Sequence, residues 1–141
     1  MTRTPATLIL AASLLCAASC QSNSKSNSPP GATAAQLEKM SDAQIAEKTF
    51  AFMQQLIDVG EPAKSNCDKM ADAMQKVLDA NGPLLAVMKK YRSDPDKQKW
   101  FDDNYGERSK KIGMWFMQVP LRNCGKNPKM RKVATTLLPP K

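Results

Sequence analysis

From about residue 36 onward, apolar residues return every three or four positions, and no stretch of four or more residues alternates between apolar and polar. The first pattern puts apolar side chains on one face of a helix; the second is what a half-buried strand needs, and it is missing. Ser41 followed by Gln44 has the form of a capping box, in which hydroxyl and amide satisfy each other's backbone N–H. Ile45, Phe52, Leu56 and Val59 then recur at helical spacing, with Phe50, Met53 and Ile57 widening the stripe, until Gly60 and Pro62 end it. A second helix is expected from Pro62 or Ser65, with Cys67, Met70, Met74, Val77 and Leu78 on one face and Asp68, Asp72 and Lys76 off it. Asn81-Gly82-Pro83 reads as a stop and restart, and a short helix follows over 84–91. Asp94-Pro95 reads as a cap with a first-turn proline. The fourth helix carries Trp100, Phe101, Tyr105, Ile112, Trp115, Phe116 and Val119; Gly106 and Gly113 are weak points where it could kink or split, and Pro120 is its expected end. Asn127-Pro128 repeats the cap, and Met130, Val133, Ala134 and Leu137 mark a last short helix stopped by Pro139-Pro140. The expected fold is all-α: one small bundle of four to five helices over 36–141, after a flexible N-terminal linker.

The first twenty residues, MTRTPATLILAASLLCAASC, follow a different rule. Arg3 supplies a positive start, an apolar run covers 7–18, and small residues follow, which is the layout of a secretory signal peptide. The run falls short of the ~20 residues a comfortable transmembrane helix needs. Ala17-Ala18-Ser19-Cys20 resembles the lipobox of bacterial lipoproteins, with Ala17 where that family usually has Leu. The resemblance implies cleavage of residues 1–19 and lipidation of Cys20, by a diacylglyceryl thioether and an acylated amine. It also implies the cell envelope as location. Gln21 stands where Asp would favour inner-membrane retention, so the resemblance favours the outer membrane. Residues 21–35, QSNSKSNSPPGATAA, show no apolar periodicity and read as a tether, with a reach of roughly 20 Å if it behaves as coil.

Cysteine parity agrees with this division. Of the four cysteines, Cys16 lies in the apolar run and Cys20 in the lipobox-like segment, leaving Cys67 and Cys124 as an even pair. In an oxidising compartment a structural disulfide between them is the favoured reading. The alternative is a reactive or metal-binding thiol at Cys67, near a helix start with Lys64 and Lys69 close in sequence. No Cys-x-x-Cys accompanies it.

The chain has no His. Ser-His-Asp and Cys-His catalysis and His-ligated metal sites are therefore excluded. Asp102, Asp103 and Glu107 are the best carboxylate cluster, but they read as a polar helix face rather than an acid/base pair. No phosphate-cradling glycine loop or nucleophile elbow is present. The reading is non-enzymatic, with no catalytic residue, resident metal or cofactor expected. Met40-Ser41-Asp42-Ala43-Gln44 looks like the Leu-Thr-x-x-Gln motif of small helical periplasmic stress chaperones, in one copy with two positions changed; no function is carried over from it.

Eight methionines follow the signal-like segment: 40, 53, 70, 74, 88, 114, 117 and 130. Thioethers can hold Cu(I), so Met70 and Met74, one turn apart, define an alternative copper or stress-handling role. Gap-filling in a helical core is the plainer reading. The segment Ile112-Gly-Met-Trp-Phe-Met117 is apolar around almost the whole helix. That pattern predicts a central helix, with Gly113 admitting a close neighbour. If it is exposed instead, Trp115 and Phe116 become anchors of a binding surface.

Charge is strongly segregated. The whole chain carries a formal net +8. Residues 20–107 hold 11 basic and 13 acidic side chains, whereas residues 108–141 hold nine basic and no acidic ones. Arg122, Lys126, Lys129, Arg131 and Lys132 are the core of this block and the candidate basic patch. Such a block attracts an acidic partner: an envelope polymer, an anionic lipid or a protein. At 6% aromatics the chain has little with which to stack nucleic-acid bases. The expected function is that of a membrane-anchored envelope lipoprotein with a binding or structural role, possessing a basic C-terminal third.

Overall fold

A computed structural model describes residues 31–138, and all regular structure among them is helical. Cys20, the signal-like segment, most of the tether and the Pro139-Pro140 stop lie outside the described residues.

Order begins earlier than the composition of 21–35 implies. Ala34–Leu37 is a short helix, α1. Its N-cap Thr33 accepts from the Gln36 backbone at 3.3 Å, while the Gln36 side chain accepts from the Thr33 backbone at 2.9 Å. The helix therefore reaches back over the expected tether boundary at residue 35, because this local capping box holds a turn that apolar periodicity does not signal. The second box forms as read: Ser41 and Gln44 cap α2, Asp42–Gly60. A 3₁₀ turn over Glu61–Ala63 carries Pro62, and α3 follows at Cys67–Ala80 with Asn66 as its cap. Helix α4 spans Gly82–Ser93, starting at the Gly-Pro restart and running two residues past Tyr91. Asp94 caps α5, Pro95–Phe116, and Asn127 caps α7, Pro128–Leu137.

Neither Gly106 nor Gly113 breaks α5. Pro120 does not end the helical path either; it changes its pitch. Pro lacks the N–H that would bond four residues back, and Met117–Leu121 becomes a π-helical turn in which Arg122 N–H donates to the Met117 carbonyl, five residues away. A three-residue helix, α6 (Arg122–Cys124), completes the path, so Cys124 ends a helix rather than sitting in a loop.

The tight core joins α2, α3 and α7. Phe52 and Leu56 from α2, Met70, Met74 and Leu78 from α3, and Met130 and Val133 from α7 are essentially inaccessible. Each such side chain contributes on the order of 1.5–3 kcal/mol relative to exposure. Leu84 and Met88 of α4 extend this core. The Cys67–Cys124 disulfide, with Cα atoms 5.5 Å apart, ties the first residue of α3 to the last of α6.

Helix α5 is the exception. It is the longest helix, at 22 residues, and none of its residues is fully buried. The expected central helix around 112–117 is thus not observed. Met114 and Met117 are 56% and 62% exposed, and a Cβ on Gly113 would meet nothing within 4 Å.

Candidate functional site

The position of α5 follows from its sequence. At helical spacing its inward stripe passes through Phe101, Ser109, Ile112, Gly113 and Phe116. Within this stripe Ser109 and Gly113 bring only a hydroxymethyl group and a bare Cα among larger apolar side chains, which leaves it short of volume. Phe50 stacks on Phe101 with centroids 5.5 Å apart and meets Tyr105 at 5.4 Å. The Arg108 guanidinium lies 4.1 Å over the Phe50 ring and pairs with Glu47 at 2.8 Å. At the far end, Trp115 Nε1 donates to Glu61 Oε2 at 2.9 Å.

Between these fastenings runs a cleft of about 470 Å³, within the size range of small-molecule sites. Ile45, Thr49, Phe50 and Met53 of α2 form one wall. Val133, Ala134 and Leu137 of α7 form another. Met88 and Tyr91 close one end, and Met117, Pro120 and Leu121 of the π turn lie at the other. Five methionines (53, 74, 88, 117 and 130) contribute to the lining, which gives it a deformable, polarisable surface.

Polar groups within the lining are few. The Ser109 hydroxyl is shielded from solvent and has no hydrogen-bond partner, a state found for no other buried side-chain polar atom among the described residues. At the rim stand Arg92, Lys97 and Asp102. The Lys97 ammonium is held by Asp42 at 2.8 and 3.0 Å and sits 4.9 Å over the Tyr91 ring. Tyr91 donates its hydroxyl to the same carboxylate. The Lys97 bond, then the Tyr91 bond, holds the Asp42 carboxyl below its usual value. Burial and the Asp42 acceptor push the Tyr91 hydroxyl above the ordinary phenol range. Arg92 donates to the Leu137 carbonyl at the end of α7. The rim cations thus spend bonds on holding α2, α4, α5 and α7 together.

Most of the residues singled out by sequence as candidate sites fall elsewhere. Cys67 and Cys124 are joined, so the free-thiol alternative at Cys67 does not apply to this structure. The basic block is divided. Lys129 pairs with Asp72 at 2.8 Å, and that hydrogen bond raises the Lys129 pKa. Arg131 Nε donates to the Gly125 carbonyl at 3.0 Å. Arg122, Lys126 and Lys132 are exposed. Part of the charge segregation therefore closes on itself, C-terminal bases meeting acids of α2 and α3. Asp102, Asp103 and Glu107 are all exposed, with Asp103 bonded to Lys99 at 2.7 Å and Glu107 to Lys110 at 3.1 Å. Met70 and Met74 are buried in the core, as gap-filling requires, and Met74 also reaches the cleft. Phe116 lines the cleft, while Trp115 covers the end of α2.

The cleft itself escapes the sequence reading. Its signal is present in the small or polar residues Ser109 and Gly113 within the apolar stripe of a long helix. No family model, curated protein or solved structure matches the chain.

Proposed function

We propose that this protein is a non-enzymatic, membrane-anchored envelope lipoprotein that binds a hydrophobic small molecule in the cleft beneath α5. The observation that carries the proposal is the cleft: an apolar, methionine-rich space flanked by a helix with no fully buried residue. A helix fastened at its two ends, and loosely packed between them, can yield to admit a ligand. The anchor is lipid on Cys20, on the lipobox-like segment that precedes it, and the location is the bacterial outer membrane. Exposed Arg122, Lys126 and Lys132 provide positive charge toward an acidic envelope polymer, lipid or protein.

Intact and native mass spectrometry of the protein isolated from its own membrane tests both parts. The proposal expects loss of residues 1–19, three acyl chains on Cys20, and a non-covalent apolar adduct released on denaturation. An unacylated chain would refute the anchor. Absence of any adduct, together with failure to take up an apolar fluorescent dye, would refute the cleft as a binding site.

A second reading draws on the same lining. Five methionines around one cleft also offer thioethers to Cu(I). Competition titration against a chromogenic Cu(I) chelator tests it, with Met74→Leu and Met130→Leu expected to weaken binding. No competition by the native protein would exclude it.

A further inference from the structure

Ser109 supplies a more specific statement about the ligand. A hydroxyl shut away from water without a partner destabilises the chain that holds it, since it has lost hydration and gained nothing. The Ser109 hydroxyl is in that state, on a residue that lines the cleft. Thr49 brings a second hydroxyl to the same cleft from α2. Apolar lining continues on both sides of Ser109, to Met88 and Leu137 one way and to Phe116 and Pro120 the other.

The rim does not favour an anionic headgroup. Lys97 is already neutralised by Asp42, Arg92 is bonded to the end of α7, and Asp102 adds a negative charge. We infer that the cleft takes an uncharged, elongated lipid-like molecule whose one carbonyl or ester group lies between two apolar arms, and that Ser109 donates its hydroxyl to that group. The inference rests on the cleft being a ligand site. It adds the ligand's class, the place of its polar group and the residue that reads it.

Matched probes separate the two claims. A mid-chain ketone, 8-pentadecanone, and the alkane pentadecane have the same length and differ in the carbonyl. Both are delivered from cyclodextrin and compete with a bound apolar dye, on the full chain with its disulfide intact. One neutral hydrogen bond corresponds to about a fivefold preference for the ketone. Ser109→Ala is expected to erase that preference, leave alkane affinity unchanged, and raise the urea midpoint of the unliganded chain, because the unpartnered hydroxyl is gone. Ser109→Thr, which keeps a hydroxyl, is expected to retain the preference. Equal binding of ketone and alkane by the native chain, or a preference that survives in Ser109→Ala, would overturn this inference while leaving the cleft as a binding site. Tighter binding of palmitate than of the ketone would overturn it in favour of an anionic ligand. Failure of the dye and of both probes to bind would overturn the ligand site itself.

Discussion

Trp115 lies over Gly60 so closely that a Cβ built on the glycine would stand 2.8 Å from the Trp115 Cη2 atom. This contact, with the bond from Trp115 to Glu61, seats the C-terminal end of α5 on the end of α2. Gly60→Ala sets two effects against each other. Alanine gains up to ~1 kcal/mol of helix propensity in a helix interior, and less at a terminus. Overpacking against a rigid ring costs ~1–3 kcal/mol. The clash wins, and the urea midpoint should fall. Gly106→Ala is the control, because its Cβ would meet nothing within 4 Å; it should raise stability by about 0.5–1 kcal/mol. A stabilised Gly60→Ala would contradict the packing described.

Helix α7 joins the core through apolar contact more than through charge. Met130 is 1% exposed, whereas the Lys129–Asp72 pair is more than half exposed on both sides. Met130→Ala should therefore destabilise the chain by roughly 2–5 kcal/mol. Lys129→Ala should leave the urea midpoint nearly unchanged, since exposed pairs are screened by water and salt. Equal effects of the two substitutions would mean that the pair, and not the core, holds α7.

The fold was largely legible because its punctuation is local. Ser41, Asp94 and Asn127 are caps within three residues of the groups they satisfy, and a single sequence displays them directly. Three features were not legible. The Thr33–Gln36 capping box builds a short helix that apolar periodicity does not announce. Pro120 widens one turn where its missing N–H breaks the four-residue pattern, and the helical path continues into Arg122–Cys124 instead of ending. The cleft is a property of what faces α5, and apolar periodicity alone does not say whether an apolar stripe meets a wall or a void.

Reduction of the disulfide should matter more than any single surface change. The bond closes a loop of 57 residues in sequence separation, for which the chain-entropy account gives about 4 kcal/mol. Urea unfolding with and without reductant measures this. Coincident curves would show that the reduced chain loses nothing by the break.

Acid should weaken the fastening of α5 to α2. The Lys97 and Tyr91 bonds hold Asp42 below its ordinary value of 3.8. A depressed carboxylate contributes stability above its unfolded pKa and loses that contribution as pH falls through the folded one. Asp42→Asn should therefore lower the urea midpoint at neutral pH, by no more than about 1 kcal/mol for so exposed a pair. Native and variant should converge as pH falls through the depressed pKa of Asp42. A difference independent of pH would assign the loss to something other than this charge.

The central claim is that the space beneath α5 receives a hydrophobic ligand, and blocking that space tests it most directly. Ala134 of α7 lines the cleft and is partly exposed, so a larger side chain there enters the cleft rather than the core. Titration of an apolar fluorescent dye into the native chain and into Ala134→Trp, with helicity verified by circular dichroism, gives the comparison. The account predicts saturable one-site binding by the native chain and at least a tenfold loss of affinity in the folded variant. Undiminished binding by folded Ala134→Trp would place the dye elsewhere and contradict it.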